Sequence, residues 1–193
     1  MHRALPVPAI RRRSVLARAG AAITLAITLA SGPAAATLAA GAAAPPFSTA
    51  AALAGQPFTF TLQEALAKGP VVLYFYPKAF TSGCTIEAKA FADAVPRFAA
   101  AGATVVGVSA DTIEVLQRFS VEACSSKFAV AADPQARVIR AYEAQLAARP
   151  DMADRVSYVI GRDGRIAYAF ESPDPIAHVN STLRAVQELA ARR

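Results

Sequence analysis

The run VVLYFY at residues 71–76 constrains the fold more than any other stretch, because it places six apolar or aromatic residues in a row between Gly69-Pro70 and Pro77. A strand with one wet face alternates apolar and polar side chains, so an unbroken run of this length reads as a strand covered on both faces. Strands of that kind belong to sheets with helices packed on both sides, which puts the chain in the α/β class. After Cys84, Ile86, Ala90, Phe91, Ala94, Val95 and Phe98 recur at helical spacing as far as Gly102, and ATVVGVS (103–109) is a second buried strand. Strand, helix and strand make one βαβ unit with parallel strands and a right-handed crossover.

The rest of the chain continues the pattern. FTFTL (58–62) alternates as a half-buried strand, Asp111 or Thr112 caps a helix running to about Ala123, and FAVAA (128–132) is a short strand. Pro134 is expected to open a helix reaching about Ala144. RVSYVI and RIAYAF flank GRDG, a hairpin with Asp163-Gly164 at its turn, and Asp174-Pro175 caps a last helix ending near Ala191. A βαβ half followed by a hairpin and a helix is a thioredoxin-like arrangement, a central mixed sheet flanked by helices, with one extra helix and strand between the halves. A chain of 193 residues, 54% hydrophobic and 18% charged, supplies one core of that size.

The net charge of +6 invites a nucleic-acid reading until the charges are located. Residues 1–36 hold five of the twenty basic residues (Arg3, Arg11, Arg12, Arg13, Arg18) and no acid, leaving fifteen basic against fourteen acidic residues, a net of +1. The basicity belongs to a leader, so nucleic acid is not an expected partner. A basic start, an uncharged Gly/Ala/Thr-rich stretch from Ala19 and small residues at Ala34-Ala35-Ala36 give residues 1–36 the layout of a cleavable signal peptide. A retained anchor is the alternative, but the strongly apolar part, Ala21 to Ala30, is shorter than the roughly 20 residues that span a bilayer. RRRSVLA has the pattern of a twin-arginine signal, with Arg12-Arg13 as the pair, although ordinary secretory leaders are also Arg-rich. Either route leads to an extracytoplasmic, periplasmic location where disulfides persist, with no stable membrane association once the leader is removed. Residues 37–56 are Ala/Pro/Gly-rich and uncharged and read as a linker, so the folded domain is expected over 57–193.

Chemistry concentrates at YFYPKAFTSGCT (74–85). Cys84 falls in the first turn of a helix just past the C-terminal end of a central parallel strand, where open α/β sheets place their ligand sites. Unpaired amides and the positive end of the helix dipole favour thiolate over thiol, and the thiolate is the nucleophile. The Thr81 hydroxyl, three residues earlier, can meet whatever the sulfur holds; Pro77 ends the strand and can shield the sulfur, and Gly83 admits close approach of the backbone. A cysteine serving as a small buried hydrophobe is the bland reading of the same position.

Pro77-x-x-x-Thr81-x-x-Cys84 resembles the signature of the peroxiredoxins, and YFYPKAFTSGCTIEA as a whole is similar to the bacterioferritin comigratory protein, or Q-type, subgroup. The resemblance runs from about Gly55 to Ala191 through VVGVSAD, FAVAADPQARVIRAY and RVSYVIGRDGRI. It implies a thioredoxin-like fold with the peroxiredoxin insertion and a thiol-dependent peroxidase acting on hydrogen peroxide and organic hydroperoxides, with Cys84 as the peroxidatic cysteine. It also implies a catalytic arginine at the start of the strand after the long helix, which maps to Arg155, and a guanidinium there would favour thiolate and hold a peroxide oxygen. Glu87 matches a family glutamate, or is simply a favourable acid near a helix N-terminus. Many Q-type members carry a resolving cysteine five residues after the first, where this chain has Lys89; others carry it in the following helix, which Cys124 ends here. Family practice then implies recycling by a thioredoxin-like or other dithiol donor and a monomer or weak homodimer. No metal or organic cofactor is indicated: His178 is the only histidine beyond the leader and is expected on a solvated helix face.

Two other readings stay open at this level. A thiol-disulfide oxidoreductase of the same fold would want Cys-x-x-Cys, but position 87 is Glu. An exported, non-catalytic domain could join Cys84 and Cys124 in a plain structural disulfide.

Overall fold

The computed structural model describes residues 1–2 and 37–192, so the leader reading of 1–36 lies almost wholly outside the described residues. VVLYFY forms β3 (Val71–Phe75), every residue of it buried. It pairs in parallel with β4 (Thr104–Ser109) on one side and antiparallel with β8 (Val156–Ile160) on the other. The sheet has seven strands in the order β2-β1-β5-β4-β3-β8-β9, completed by β1 (Ser48–Leu53), β2 (Gln56–Thr61), β5 (Ala129–Ala132) and β9 (Ile166–Glu171). This is the expected mixed, thioredoxin-like sheet.

Side chains leave β3 alternately, and the two sets seed two cores. Val72, Tyr74 and Tyr76 face α2 (Ser82–Ala100), α3 (Ile113–Glu122) and α5 (Pro175–Ala191). Val71, Leu73 and Phe75 face α1 (Leu62–Lys68), α4 (Arg137–Ala141) and a two-stranded ribbon of β6 (Gln145–Leu146) and β7 (Arg149–Ala153). Fully burying side chains of this size contributes about 1.5–3 kcal/mol each, so β3 organises both layers. Where β3 meets β4, Gly107 is required by packing: a Cβ there would lie 2.7 Å from the Tyr74 ring. Asp174 caps α5, accepting from the Ile176 and Ala177 amides, as its position before Pro175 predicts.

Two expectations are corrected. Residues 37–56 are not a tether: Ser48–Leu53 pair with β2 and β5, Ala43 bridges to Arg165, and Phe47 packs its ring 5.6 Å from Phe60. The ordered domain therefore begins near Leu38 rather than at 57. The helix expected from Pro134 to Ala144 shrinks to Arg137–Ala141, because the Asp133 carboxylate accepts from the Arg137 and Ile139 amides and Ala136 turns left-handed at φ 51°. The seven-residue α1 helix, with Leu62, Ala65 and Leu66 on its buried face, and the short β6–β7 ribbon are additions that no sequence expectation covered. Among the described residues no helix is long and apolar enough to cross a membrane.

Candidate active site

β3 delivers the chain at Pro77 to a short loop, and α2 starts at Ser82 with Thr81 as its N-cap, so Cys84 occupies the first turn. The loop is pinned. The Asp111 carboxylate, just past β4, accepts from the Ala79 amide at 2.7 Å and from the Ser109 hydroxyl at 2.8 Å. Phe80, left-handed at φ 64°, lays its ring edge-on to Phe119 of α3 at 5.2 Å, with the Arg118 guanidinium 5.2 Å from its centroid. A bulky residue in that backbone region costs about 1–3 kcal/mol, which these contacts offset.

Cys84 is 2% exposed, whereas its chain neighbours Thr81 and Ser82 are exposed and Pro77 and Gly83 half-buried. Arg155, immediately before β8, enters from the side. Its guanidinium donates one N–H to Cys84 Sγ at 3.6 Å and another to the Glu87 carboxylate, while the Arg155 amide donates to Asp154 at 2.7 Å. A rigid fork can serve sulfur and carboxylate together, which a lysine cannot. Gly83 leaves room for it, since a Cβ there would sit 3.2 Å from the guanidinium. Glu87 is wholly buried, and burial pushes its pKa up to about 8 against the pull of the Arg155 cation. Arg155 itself is raised: burial works against its charge, and the neighbouring Glu87 and Cys84 outweigh it. Arg155 is thus no surface charge; its side chain is only 11% exposed.

Of the residues singled out in sequence, Cys84, Arg155 and Glu87 meet directly. Thr81 stands at the helix start with its hydroxyl donating to the Lys78 carbonyl at 3.0 Å, and Pro77 closes the strand beside it. Cys124 lies two residues past α3 in the same core as Cys84; both are free thiols, and burial pushes Cys124 far up in pKa. Ser125 and Ser126 after it are both left-handed, at φ 50° and 59°. His178 is a correction: it is fully buried, its Nε2 donating to the Ser172 carbonyl at 2.9 Å and its Nδ1 accepting from the Ser157 hydroxyl at 2.8 Å, and burial lowers its pKa. It clamps α5 to the two strands next to Arg155. Nothing in sequence signalled that role, nor the anchoring by Asp111. Among the described residues no three His, Cys, Asp or Glu side chains cluster to hold a metal. A cavity of about 500 Å³ lies at the opposite end of the sheet among Phe58, Phe98 and Thr104 and includes neither cysteine.

A sulfur seated at a helix N-terminus on this sheet, and met by an arginine from the strand beyond the insertion, is placed to attack an oxygen-bearing substrate whose charge the guanidinium can take up. That is the working arrangement of a thioredoxin-like peroxidase. The AhpC/TSA family model matches residues 40–169, and the chain belongs to that family. It is 33% identical over 141 residues to chloroplastic peroxiredoxin Q of Sedum lineare, covering 69% of this chain and 75% of that protein. Against peroxiredoxin Bcp of Escherichia coli the identity is 30% over 125 residues, covering 62% and 80%. The crystal structure of peroxidoxin BcpB from Mycobacterium tuberculosis superposes with a TM-score of 0.68 at 28% identity, covering 78% of this chain and 97% of that one. The protein is a thiol-dependent peroxidase of the peroxiredoxin Q/Bcp kind.

Proposed function

We propose that Cys84 is the peroxidatic cysteine and that the protein reduces hydrogen peroxide and organic hydroperoxides in an extracytoplasmic compartment. The observation that carries this is the Arg155 guanidinium held on Cys84 Sγ at a helix N-terminus. The thiolate attacks one peroxide oxygen in line, the O–O bond breaks, and alcohol or water leaves with a proton while Cys84 becomes a sulfenic acid. Arg155 stabilises the charge that moves onto the departing oxygen. Thr81 turns its hydroxyl from the Lys78 carbonyl to the bound oxygens, and Pro77 keeps bulk water off the sulfur.

Cys124 then resolves the sulfenic acid within the same chain, and a thioredoxin-like dithiol reduces the disulfide. Disulfide geometry needs Cα atoms within about 7 Å, so the first turn of α2 or the Cys124 segment moves. Left-handed Phe80, Ser125 and Ser126 mark where strain is released in doing so. The leader, with Arg12-Arg13, delivers the protein to the periplasm and is removed there, leaving a monomer or weak homodimer. Mass spectrometry finding Arg12 on exported protein would contradict that delivery. The site is tested with stoichiometric hydrogen peroxide. Cys84→Ser should be inert, and Cys124→Ser should react once and accumulate sulfenic acid, passing to sulfinic acid only on further exposure to peroxide, whereas oxidised wild type runs as a compact monomer on non-reducing gels. Full dithiol-driven turnover by Cys124→Ser would make this a one-cysteine enzyme.

A further inference from the structure

Four buried side-chain oxygens among the described residues lack a hydrogen-bond partner, and three of them belong to residues surrounding the cysteines: the Tyr74 and Tyr76 hydroxyls and Glu87 Oε1. An unpaired buried hydroxyl costs about 1–3 kcal/mol, and phenylalanine would fill the same space without that cost. Tyr74 is fully buried on β3. Its ring stacks on Phe91 of α2 at 4.4 Å, seven residues after Cys84 and on the same helix face. It also stacks on Tyr76 at 5.4 Å, and Tyr76 stacks in turn on Phe119 of α3 at 5.6 Å. Phe128, four residues after Cys124, meets the Tyr74 ring edge-on at 6.0 Å. The ring therefore fills the gap between the segments that carry the two sulfurs, and its tip rests on Gly107, the one residue type that leaves room for it.

We propose that the Tyr74 hydroxyl is the hydrogen-bond donor reserved for the Cys124 sulfur as it ionises in the resolving step. The inference rests on Cys124 being the resolving cysteine. In that step the Cys124 thiol gives up its proton, its sulfur attacks Cys84 sulfur, and the S–O bond of the sulfenic acid breaks. The hydroxide leaves with the proton as water, Cys124 sulfur being oxidised and Cys84 sulfur reduced. A thiolate in a dry core needs a partner, and the other idle polar groups of the described core near the cysteines are the Tyr76 hydroxyl and Glu87 Oε1, the latter on a carboxyl that Arg155 already holds. Burial, and next the proximity of Cys124, raise Tyr74 far above the ordinary tyrosine range, so it keeps its proton and acts as donor rather than base. Tyr76, Glu87 and Cys84 are the other ionisable groups facing it.

Tyr74→Phe removes the hydroxyl and keeps the stack. With stoichiometric hydrogen peroxide, Cys84 oxidation should stay within about twofold of wild type, while disulfide formation slows at least about tenfold and needs higher pH to reach half its maximum. Cys84 sulfenic acid should persist, going on to sulfinic acid when a second equivalent of peroxide is added, and the melting temperature should hold or rise, because an unpaired hydroxyl has gone. Disulfide formation at the wild-type rate would overturn the proposal, and so would a lowered melting temperature with both steps slowed alike, which marks a merely structural hydroxyl. Cys124→Ser run in parallel separates the two claims. If it stalls while Tyr74→Phe resolves normally, only the role of Tyr74 fails; if it turns over fully, the resolving role of Cys124 fails and this inference with it.

Discussion

Replacing Glu87 by glutamine isolates the charge that competes with Cys84 for Arg155. Glu87 sits three residues after Cys84 on α2, a spacing that leaves Cβ atoms about 5–6 Å apart. With its pKa raised to about 8, chiefly by burial, the carboxyl is mostly neutral at pH 7 and becomes an anion in the alkaline range. Its ionisation opposes a thiolate on Cys84 and draws the guanidinium away from it. A unit charge about 6 Å away at an effective dielectric constant of about 20 is worth about 3 kcal/mol, and solvent at the site mouth reduces this, leaving roughly ten- to a hundredfold in rate. Stopped-flow measurement of the second-order reaction with hydrogen peroxide should therefore show the wild-type rate constant falling by that factor as pH rises through about 8. Glu87→Gln keeps an acceptor for Arg155 and should hold a flat alkaline limb. Stability follows the same sign: the folded pKa lies above the ordinary 4.5, so the contribution of Glu87 is full below about 4.5 and is lost as pH rises through about 8. Wild type should lose ground to the variant in denaturant titrations over that window. An identical alkaline fall in both proteins would refute the reasoning.

Three further outcomes are expected. Arg155→Lys keeps the charge but not the fork that spans Glu87 and Cys84, so the peroxide rate constant should drop on the order of 10²-fold, as it should for Thr81→Val, with melting temperature as the control. Gly107→Ala drives a methyl group into the Tyr74 ring and should cost about 1–3 kcal/mol in urea unfolding. Asp174→Ala removes the acceptor for two amides at the start of α5 and should cost about 1 kcal/mol by the same assay.

The parts of the fold written as long apolar runs or full helical periods were legible in the sequence: β3, β4, α2, α3 and the capped α5. STAAAL at 48–53 was not, because alanine and threonine carry little pattern, and its strand character comes from pairing with β2 and β5 rather than from propensity. Cys84, Thr81 and Pro77 were readable because they are close in sequence and tied to a strand-to-helix junction. Arg155 lies 71 residues from Cys84, and only a family resemblance brought it to the site. His178 looked like a surface residue because one histidine on a helix says nothing about the Ser157 and Ser172 partners that let it be buried. The unpaired Tyr74 hydroxyl is invisible in sequence altogether, since what marks it is the absence of a neighbour.

The central claim is that Cys84, set at the start of α2 under Arg155, is the sulfur that peroxide attacks. Fully reduced wild type and Cys84→Ser, each mixed with one equivalent of hydrogen peroxide and followed by peroxide loss together with mass spectrometry of the cysteine peptides, test it most directly. The account predicts rapid loss with wild type, the oxidation beginning at Cys84, and no reaction above background with Cys84→Ser. Peroxide consumption by Cys84→Ser at the wild-type rate, or first oxidation of Cys124 in the wild type, would contradict it.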